Sequence, residues 1–435
     1  MFAAEALALA VLAAPAAEHY ERTFELAAAA DVVATVRAGC AGCAWGEAGR
    51  EAAALRLSVD GSYSQHLLLA RGEAPAEYRV TLGTLAAGSH RLSIERDAAL
   101  SAPRAGAATM SVDDIHPISG RDEALAQSMA PILYARANTV GKFTDLPILM
   151  WYEVAPTARG RQFRYSVIFT NEDGGTATDR LMATWGRTTD IEYVYGVEIG
   201  AAGEILAEEF QGPGHEVPVF HGRHESRHPL LWVSTDNNMV SESGASTIRY
   251  APAPERFDLA NVSREAVMDR HPWSYALASE EMRREGKIAD QAPGHNSIPD
   301  PRRFAYIEAC GEVGEGALAF AVRVGDAWIA SDRGVAEYRI VRDGCFRAAI
   351  PLPAGTTAGE IRALRAIASA RAPAKGQRPA VPKGFLKQVP RPVVLTRVNT
   401  VFLLDARYQP GRALLQWQGR QAIDAGGPPF DLPIR

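Results

Sequence analysis

Short runs of alternating apolar and polar residues, separated by turn residues, fill most of the chain. Between residues 18 and 118, the segment AALRLSVDGSYSQHLLLARG places Asp60-Gly61 between two alternating runs, and EYRVTLGTLAAGSHRLSIERD bends at Gly88. An Asp-Gly pair between two such runs is typical of a β-hairpin. Short strands and turns at this spacing over about 100 residues predict an N-terminal β-sandwich. By analogy with small sandwiches that accompany secreted enzymes, this one is a candidate ligand-binding domain.

The same alternation continues in two further blocks. The central block, residues 119–300, contains LPILMWYEV, FRYSVIFT and DIEYVYGVEI, and the C-terminal block, residues 301–435, contains FAYIEACGEV and ALAFAVRVGDAWIA. Near residues 263–288 the pattern becomes helical, with Ser263 as a candidate N-cap and Pro272 dividing the helix in two. A chain of 435 residues has room for two or three domains. The predicted fold class is mainly β, with two or three β-sandwich-like domains and one helical insertion.

The N-terminus carries a candidate targeting signal. Residues 1–17 form an apolar run interrupted by Glu5, and Ala14-Pro15-Ala16 offers small residues for cleavage, although no Lys or Arg precedes the run. This pattern predicts a signal peptide, with an ordinary Ala-rich segment as the alternative. No later segment approaches the ~20 apolar residues that span a bilayer, so no integral membrane segment is expected. We therefore expect a soluble protein that is secreted or periplasmic.

The number of cysteines and the charge balance indicate the cellular compartment and the kind of partner. Cys40 and Cys43 lie close together, whereas Cys310 and Cys345 are far from both. Four cysteines allow three disulfide pairings, and the simplest joins Cys40 to Cys43 and Cys310 to Cys345. An even number of cysteines fits two disulfides in an oxidising compartment. A zinc site of four thiolates is the alternative, but the second close pair is missing. With 46 basic and 51 acidic residues spread along the chain, a nucleic-acid partner is not expected.

Two carboxylates in the segment TWGRTTDIEYVYG are the first candidates for chemistry. If the whole segment is a strand, period-two alternation places Thr188, Asp190 and Glu192 on one face. The other face then carries Trp185, Arg187, Ile191, Tyr193 and Tyr195. The two acids would be about 6 to 7 Å apart at the backbone, which suits a shared cation or a catalytic acid/base pair. The alternative is that both belong to the solvated face of a half-buried strand.

A histidine-rich segment follows, with His215, His221, His224 and His228 inside fourteen residues. The letters HESRH, residues 224–228, match the HExxH pattern in which two histidines bind zinc and Glu225 acts as general base. That mechanism needs a helix, but Gly222 precedes the motif and Pro229 follows it, which favours a strand and a loop. His221, His224 and His228 are therefore candidate ligands of a divalent metal, either Ca or Zn, and ordinary loop histidines otherwise.

Aromatic and polar side chains of the central block suggest a substrate class. Aromatic rings beside charged and amide groups are typical of sugar sites, because pyranose faces are apolar and their edges carry hydroxyls. The candidate substrate-binding residues are Trp185, Arg187, Tyr193 and Trp232. The nucleophile elbow GxSxG, the phosphate-binding loop and the dinucleotide fingerprint are all missing from the sequence.

Three functions stay open from the sequence. The leading hypothesis is a secreted polysaccharide-directed hydrolase or lyase, with Asp190, Glu192, His224 and Glu225 as catalytic residues. The second is a metal-dependent hydrolase, such as a zinc peptidase, that uses the HESRH segment. The third is a non-catalytic surface or carbohydrate-binding protein in which the same residues form ordinary loops.

Overall fold

The computed structural model describes residues 18–172, 174, 176–372 and 391–434. The predicted signal peptide, residues 1–17, lies outside the described residues. The chain is 47% strand and 11% helix and forms several antiparallel sheets, which confirms the predicted mainly β class with sandwich-like domains. The strands of each sheet fall within one of the three predicted blocks.

The N-terminal block folds into two facing sheets. One sheet has the order β1-β6-β3-β4 and the other the order β5-β2-β7, and their apolar faces enclose a core that includes Val36, Leu55 and Ile94. The seven strands are β1 His19–Leu26, β2 Ala30–Cys40, β3 Ala54–Val59, β4 Ser62–Leu68, β5 Ala76–Leu85, β6 Gly88–Asp97 and β7 Ala108–Pro117.

The central block is also a two-sheet structure, with orders β12-β11-β10-β9-β17 and β13-β14-β8-β16, and with β15 paired to β14. Its core contains an aromatic row, Tyr152, Tyr165 and Tyr195, that crosses three neighbouring strands. The elements are α1 Arg121–Ser128, β8 Ile132–Tyr134, β9 Pro147–Pro156, β10 Gly160–Phe169, α2 Thr178–Trp185, β11 Asp190–Gly200, β12 Ile205–Phe210, β13 His224–Glu225, β14 His228–Val233, β15 Val240–Ser241, β16 Arg249–Tyr250 and β17 Glu255–Arg256.

The C-terminal block repeats this architecture with sheets β21-β18-β23-β24 and β20-β19-β22-β25. Apolar side chains such as Ile307, Phe320 and Phe346 fill the space between them. The strands are β18 Phe304–Glu312, β19 Gly316–Val324, β20 Ala327–Ala330, β21 Gly344–Pro351, β22 Ile361–Ala370, β23 Val393–Phe402, β24 Leu415–Ile423 and β25 Phe430–Pro433.

The helical insertion connects the three blocks. It consists of α3 Ala266–Arg270 and α4 Trp273–Arg284, and Pro272 stands between them as the sequence pattern predicted. Tyr275 packs with the central and C-terminal sheets, whereas Leu277 packs with Trp45 of the N-terminal block. Helices α1 and α2 were not predicted from the sequence.

Both disulfides join the cysteines that the simplest pairing combines, Cys40 with Cys43 and Cys310 with Cys345. Disulfides are typical of proteins that fold in an oxidising compartment, so they agree with export. Among the described residues, no helix combines the length and apolarity that crossing a membrane requires.

Candidate functional site

Strand β11 begins at Asp190, whereas the segment considered as a strand from the sequence begins at Thr184. The preceding residues Thr178–Trp185 form helix α2, which ends on Gly186 at φ 62°, the left-handed conformation that glycine adopts without strain. The prediction that Trp185 and Arg187 belong to the strand is therefore wrong. Trp185 is half-buried, with the Arg342 guanidinium 5.3 Å from its ring centroid, and Arg187 lies in the connection between helix and strand.

Asp190 and Glu192 lie on the same face of β11 and point between the two sheets of the central block. Their cross-strand neighbours are Phe169 and Val167, which belong to the central core. Asp190 is 1% exposed and Glu192 is 8% exposed, so the alternative of a solvated strand face does not describe them. A β-bulge at Val194 then reverses the alternation, so that Tyr195 faces the core rather than the side of Tyr193.

The Asp190 carboxylate is held by an amide and a guanidinium. Asn238 donates from Nδ2 to Asp190 Oδ2 at 3.0 Å, and Arg187 Nη1 lies 3.6 Å from Oδ1. Arg187 also bonds Glu265 at 3.2 Å, so one cation serves two buried acids. Burial raises the pKa of Asp190 above its ordinary value, although Arg187 and Asn238 act in the opposite direction.

Glu192 is the more strongly perturbed acid of the pair. Burial, followed by the neighbouring Asp190 charge, raises the pKa of Glu192 to about 8, and Gln211 Nε2 donates a hydrogen bond to its carboxylate. Two acids that share a dry site cannot both ionise easily, because each charge opposes the other. With a pKa of about 8, Glu192 therefore retains its proton at neutral pH.

Two loops that the sequence marked as polar meet at this pair. Asn238 donates to the backbone oxygen of Asn171 at 3.0 Å as well as to Asp190, and thus joins both loops to β11. Glu172 lies nearby, and its pKa is raised by burial and then by the Asp190 charge. The segment between residues 171 and 238 therefore brings its acids and amides into one buried cluster.

The histidines of the HESRH segment do not join this cluster. His224 and Glu225 form the short strand β13, paired with His228 and Pro229 of β14 across a tight turn with Ser226 at φ 54°. The segment is a hairpin, so the helical face that the zinc-peptidase mechanism needs is not formed.

Each histidine also has a different neighbour. His224 Nε2 lies 2.7 Å from Glu208, and His228 is buried with Nδ1 2.9 Å from the backbone oxygen of Ala130. His221 is exposed, and Glu225 instead pairs with Arg249. Glu208 pairs across from Val197, five residues along β11 from Glu192, so His224 is about 16 Å away along the strand.

A metal site is not confirmed at these residues. In the part of the chain that the structure describes, no three His, Cys, Asp or Glu side chains are grouped so that they could hold a metal ion. His215 is linked to the carboxylate pair through Gln211, because its Nδ1 lies 3.5 Å from Gln211 Nε2 and Gln211 also donates to Glu192. His215 is exposed and belongs to the histidine-rich segment, but nothing in the sequence separates it from the other three.

A polar groove that the sequence did not reveal lies on the opposite face of the β9–β12 sheet. Cross-strand pairing places Glu153, Arg164, Gly196 and Glu209 in one row across four strands. The groove has a volume of about 400 Å³. Its charged and polar lining residues are Glu153, Arg164, Ser166, Tyr193, Glu209, Gln211, Ser263 and Arg264.

The hydroxyl of Tyr193 lies in this row, at the position of Gly196. Gly196 leaves the space for it, because a Cβ there would lie 2.1 Å from the Tyr193 oxygen. The hydroxyl donates to Glu209 at 2.7 Å, and the Arg164 guanidinium lies 5.0 Å from the Tyr193 ring centroid. Burial raises the pKa of Glu153 above its ordinary value. Carboxylate, guanidinium and phenol groups therefore follow one another at strand spacing along the groove floor.

Of the four predicted substrate-binding residues, Tyr193 lines this groove. Trp232 lies elsewhere, buried in a stack on Tyr134 with ring centroids 4.4 Å apart. Gln211 connects the groove with the carboxylate pair, because it lines the groove and donates to Glu192. The sequence could not show this connection, since the register that aligns the row is set by strand pairing.

No known family description matches the chain, and no curated protein matches it. Among solved structures, one that is similar is "NLPPya in complex with mannosamine", with a TM-score of 0.25, 9% identity, and coverage of 33% of this chain and 76% of that chain. A GH2 beta-galacturonidase from Eisenbergiella tayi is also similar, with a TM-score of 0.15 and 13% identity in both of two structures. The similarity covers 46% of this chain and 28% of that chain in the glycerol complex, and 52% and 35% in the galacturonate complex. At these TM-scores the similarities assign neither fold nor activity.

Proposed function

We propose that this protein is exported and acts on polysaccharides, as a hydrolase or lyase, with the sugar chain bound in the groove of the central block. Glu192 does not line the groove itself, but it accepts a hydrogen bond from Gln211 of the groove lining and is the proposed source of the proton. The observation that carries the proposal is the connection through Gln211. It links a carboxyl group with a pKa of about 8 to a groove of 400 Å³ lined by hydrogen-bonding side chains.

The groove has the chemistry that sugar rings require. Hydroxyl groups on a pyranose accept and donate hydrogen bonds, and Glu153, Arg164 and Glu209 offer both kinds of partner along one row. Tyr193 adds an aromatic surface for an apolar ring face. Arg264 also lines the groove, and no carboxylate lies within 4 Å of its guanidinium among the described residues, so it is available to a carboxylated sugar.

The carboxylate pair supplies a proton at neutral pH. Cleavage of a glycosidic bond requires protonation of the departing oxygen, both in hydrolysis and in elimination. An ordinary glutamate is ionised at pH 7, whereas Glu192 retains its proton because it is buried beside Asp190. In the proposed role, Asp190 keeps the Glu192 pKa high, and His215, whose Nδ1 lies 3.5 Å from Gln211 Nε2, is the candidate base.

The test is a screen of neutral and uronate-containing polysaccharides with the full chain. Hydrolysis is followed by new reducing ends, and elimination by the absorbance of the unsaturated sugar that forms. Glu192→Gln keeps the shape of the side chain and should lower the rate at least about a hundredfold, because a general acid contributes that much or more.

Glu198→Gln on the same strand is the matched control, since the Glu198 carboxylate pairs with Thr157 and Arg159 away from the groove. Its activity should equal that of the wild type. Equal activity of Glu192→Gln and wild type would remove Glu192 from the mechanism. Binding of polysaccharide by both proteins without cleavage would show a binding protein instead of an enzyme.

A further inference from the structure

A second cavity lies between the N-terminal and central blocks, beside the start of strand β9. It has a volume of about 350 Å³, within the range of small-molecule sites. Its walls come from β4, the β5 region, the start of β9, the 250–255 segment and the start of α4. Because separate blocks supply the walls, the cavity could not be predicted from the sequence.

The walls are fixed by backbone hydrogen bonds between the blocks. Thr81 donates its backbone N–H to Ala251 at 2.8 Å, and Ala253 donates to Arg79 at 3.0 Å, so the 251–253 segment runs beside β5 like an added strand. Gln65 accepts a further bond from the backbone N–H of Ala251 at 3.0 Å. The cavity is therefore formed in the folded protein and does not require a movement to open it.

Most of the cavity surface is aliphatic. The side chains that supply it are Leu67, Leu68, Val80, Leu146, Ile148 and Leu149. Such a surface favours an apolar ligand body, because apolar groups leave water on binding. A free monosaccharide would leave most of its hydroxyl groups without partners here.

Among the described residues, two guanidinium groups at the cavity have no direct ion pair. Arg71 and Arg79 line the cavity, and in the described part of the chain neither guanidinium has a carboxylate within 4 Å. Glu77, which also lines it, pairs with Arg37, and Glu255 pairs with His271 at 2.5 Å. The Glu77 charge still acts on Arg71 and partly opposes the lowering of its pKa by burial. An anionic group on the ligand would therefore meet two guanidinium groups that are free to form a direct ion pair.

Arg71 is positioned for this role. Its guanidinium lies 4.8 Å from the ring centroid of Trp273 and donates from Nη1 to the backbone oxygen of Glu77 at 3.0 Å. Burial lowers the pKa of Arg71, which shows that its charge has lost part of its water. The stack and the hydrogen bond fix a cation that a carboxylate could bind with two parallel hydrogen bonds.

Two tyrosine hydroxyls add hydrogen-bond donors. Tyr250 is 8% exposed and lines the cavity, and none of the described residues accepts a hydrogen bond from its hydroxyl. Tyr78 accepts from the backbone N–H of Arg71 at 3.2 Å, which leaves its own proton free. Burial raises the pKa of Tyr78 to about 12, so it is protonated at neutral pH.

We propose that this cavity binds a small aliphatic carboxylate of the fatty-acid class, with the acyl chain against the leucine-rich wall and the carboxylate on Arg71. This binding is independent of the polysaccharide activity, because no groove residue lines the cavity. The ligand carboxylate would neutralise the exposed side of Arg71, and Tyr250 would donate to one of its oxygens.

The experiment is calorimetric titration of the full chain with decanoate, and in parallel with decanol and galacturonate. Decanoate should bind saturably with one ligand per chain, and decanol should bind at least about tenfold more weakly, since it lacks the charge that Arg71 meets. Galacturonate should not bind to the cavity, because it lacks an apolar body.

Arg71→Met should weaken decanoate binding at least about tenfold, and Tyr250→Phe should weaken it severalfold. The exposed Arg91→Met is the matched control and should bind like the wild type. Tyr250→Phe removes one oxygen only, so it keeps the test valid if Arg71→Met unfolds. Equal decanoate affinity of Tyr250→Phe, Arg71→Met and wild type, absence of decanoate binding, or preference for galacturonate would overturn the proposal. Glu192→Gln should keep full decanoate binding, so a failed polysaccharide screen leaves this result unaffected.

Discussion

Replacement of Glu192 by Gln should stabilise the protein at neutral pH, and the effect should grow with pH. In the folded state the carboxyl is buried beside Asp190 and has a pKa of about 8, whereas in the unfolded chain the pKa returns to its ordinary value of 4.5. At a pH between 4.5 and about 8, Glu192 is protonated in the folded state and ionised in the unfolded state. Stability therefore falls as pH rises, because unfolding releases that proton.

The magnitude follows from the separation of the two pKa values. Each pH unit between them is worth about 1.4 kcal/mol, so the buried acid costs the folded state about 3 kcal/mol at pH 7. The amide that replaces the carboxyl in Glu192→Gln would be neutral in both states, and its oxygen could still accept the hydrogen bond of Gln211. Relative to the variant, the wild type should lose about 1.4 kcal/mol per unit from about pH 5 to pH 8.

Urea unfolding of wild type and Glu192→Gln, followed by tryptophan fluorescence at several pH values, measures this difference. Glu198→Gln is the control with the opposite sign, because the bonds from Thr157 and Arg159 lower the pKa of Glu198. The stabilisation from Glu198 is present above its unfolded pKa and is lost as pH falls, so its variant should not gain stability at pH 7. Parallel pH profiles of wild type and Glu192→Gln would refute the assignment of a raised Glu192 pKa.

Two further predictions concern buried groups. Arg347→Met should lower the free energy of unfolding by about 3 to 5 kcal/mol, because Arg347 is fully buried and pairs with Glu308 at 2.8 Å and with Asp269 at 2.6 Å. Urea unfolding measures this loss, and an unchanged unfolding midpoint would contradict the prediction. Gly196→Ala should displace the Tyr193 hydroxyl from the groove and weaken polysaccharide binding at least about fivefold, while decanoate binding stays unchanged. Calorimetry with both ligands measures the two affinities, and an unchanged polysaccharide affinity would place the sugar outside the groove.

The sequence predicted the sheets better than the chemistry between them. Alternation identified the β3–β4 hairpin of the N-terminal block and strands of the two later blocks, and Pro272 was placed correctly between two helices. The strands on either side of the Gly88 bend, β5 and β6, belong to different sheets. The prediction was wrong around residue 185, because TWGRTT has no apolar period that separates a helix end from a strand start. Only Gly186 in its left-handed conformation shows where α2 stops.

For the candidate site, sequence spacing placed Asp190 and Glu192 on one strand face, and the structure agrees. Whether that face is wet or dry could not be read from spacing, since both arrangements have the same alternation. The HESRH letters were misleading because a zinc-binding helix and a hairpin can share them. The neighbouring Gly222 and Pro229 correctly argued against a helix, but the hairpin itself was not predicted.

By itself, the amino-acid sequence determined local properties: the β class, the turn positions, the cysteines that lie close along the chain, and which residues share a strand face. These properties depend on backbone preference and on periods of a few residues. The tertiary structure alone decided which acids lose water, which arginines have no direct carboxylate partner among the described residues, and which strands align Glu153, Arg164 and Glu209 in one row. The physical reason is that pKa values, charge pairing and cavities depend on atoms brought together from distant parts of the chain, and strand register, which sets those contacts, is fixed only when the sheets pack.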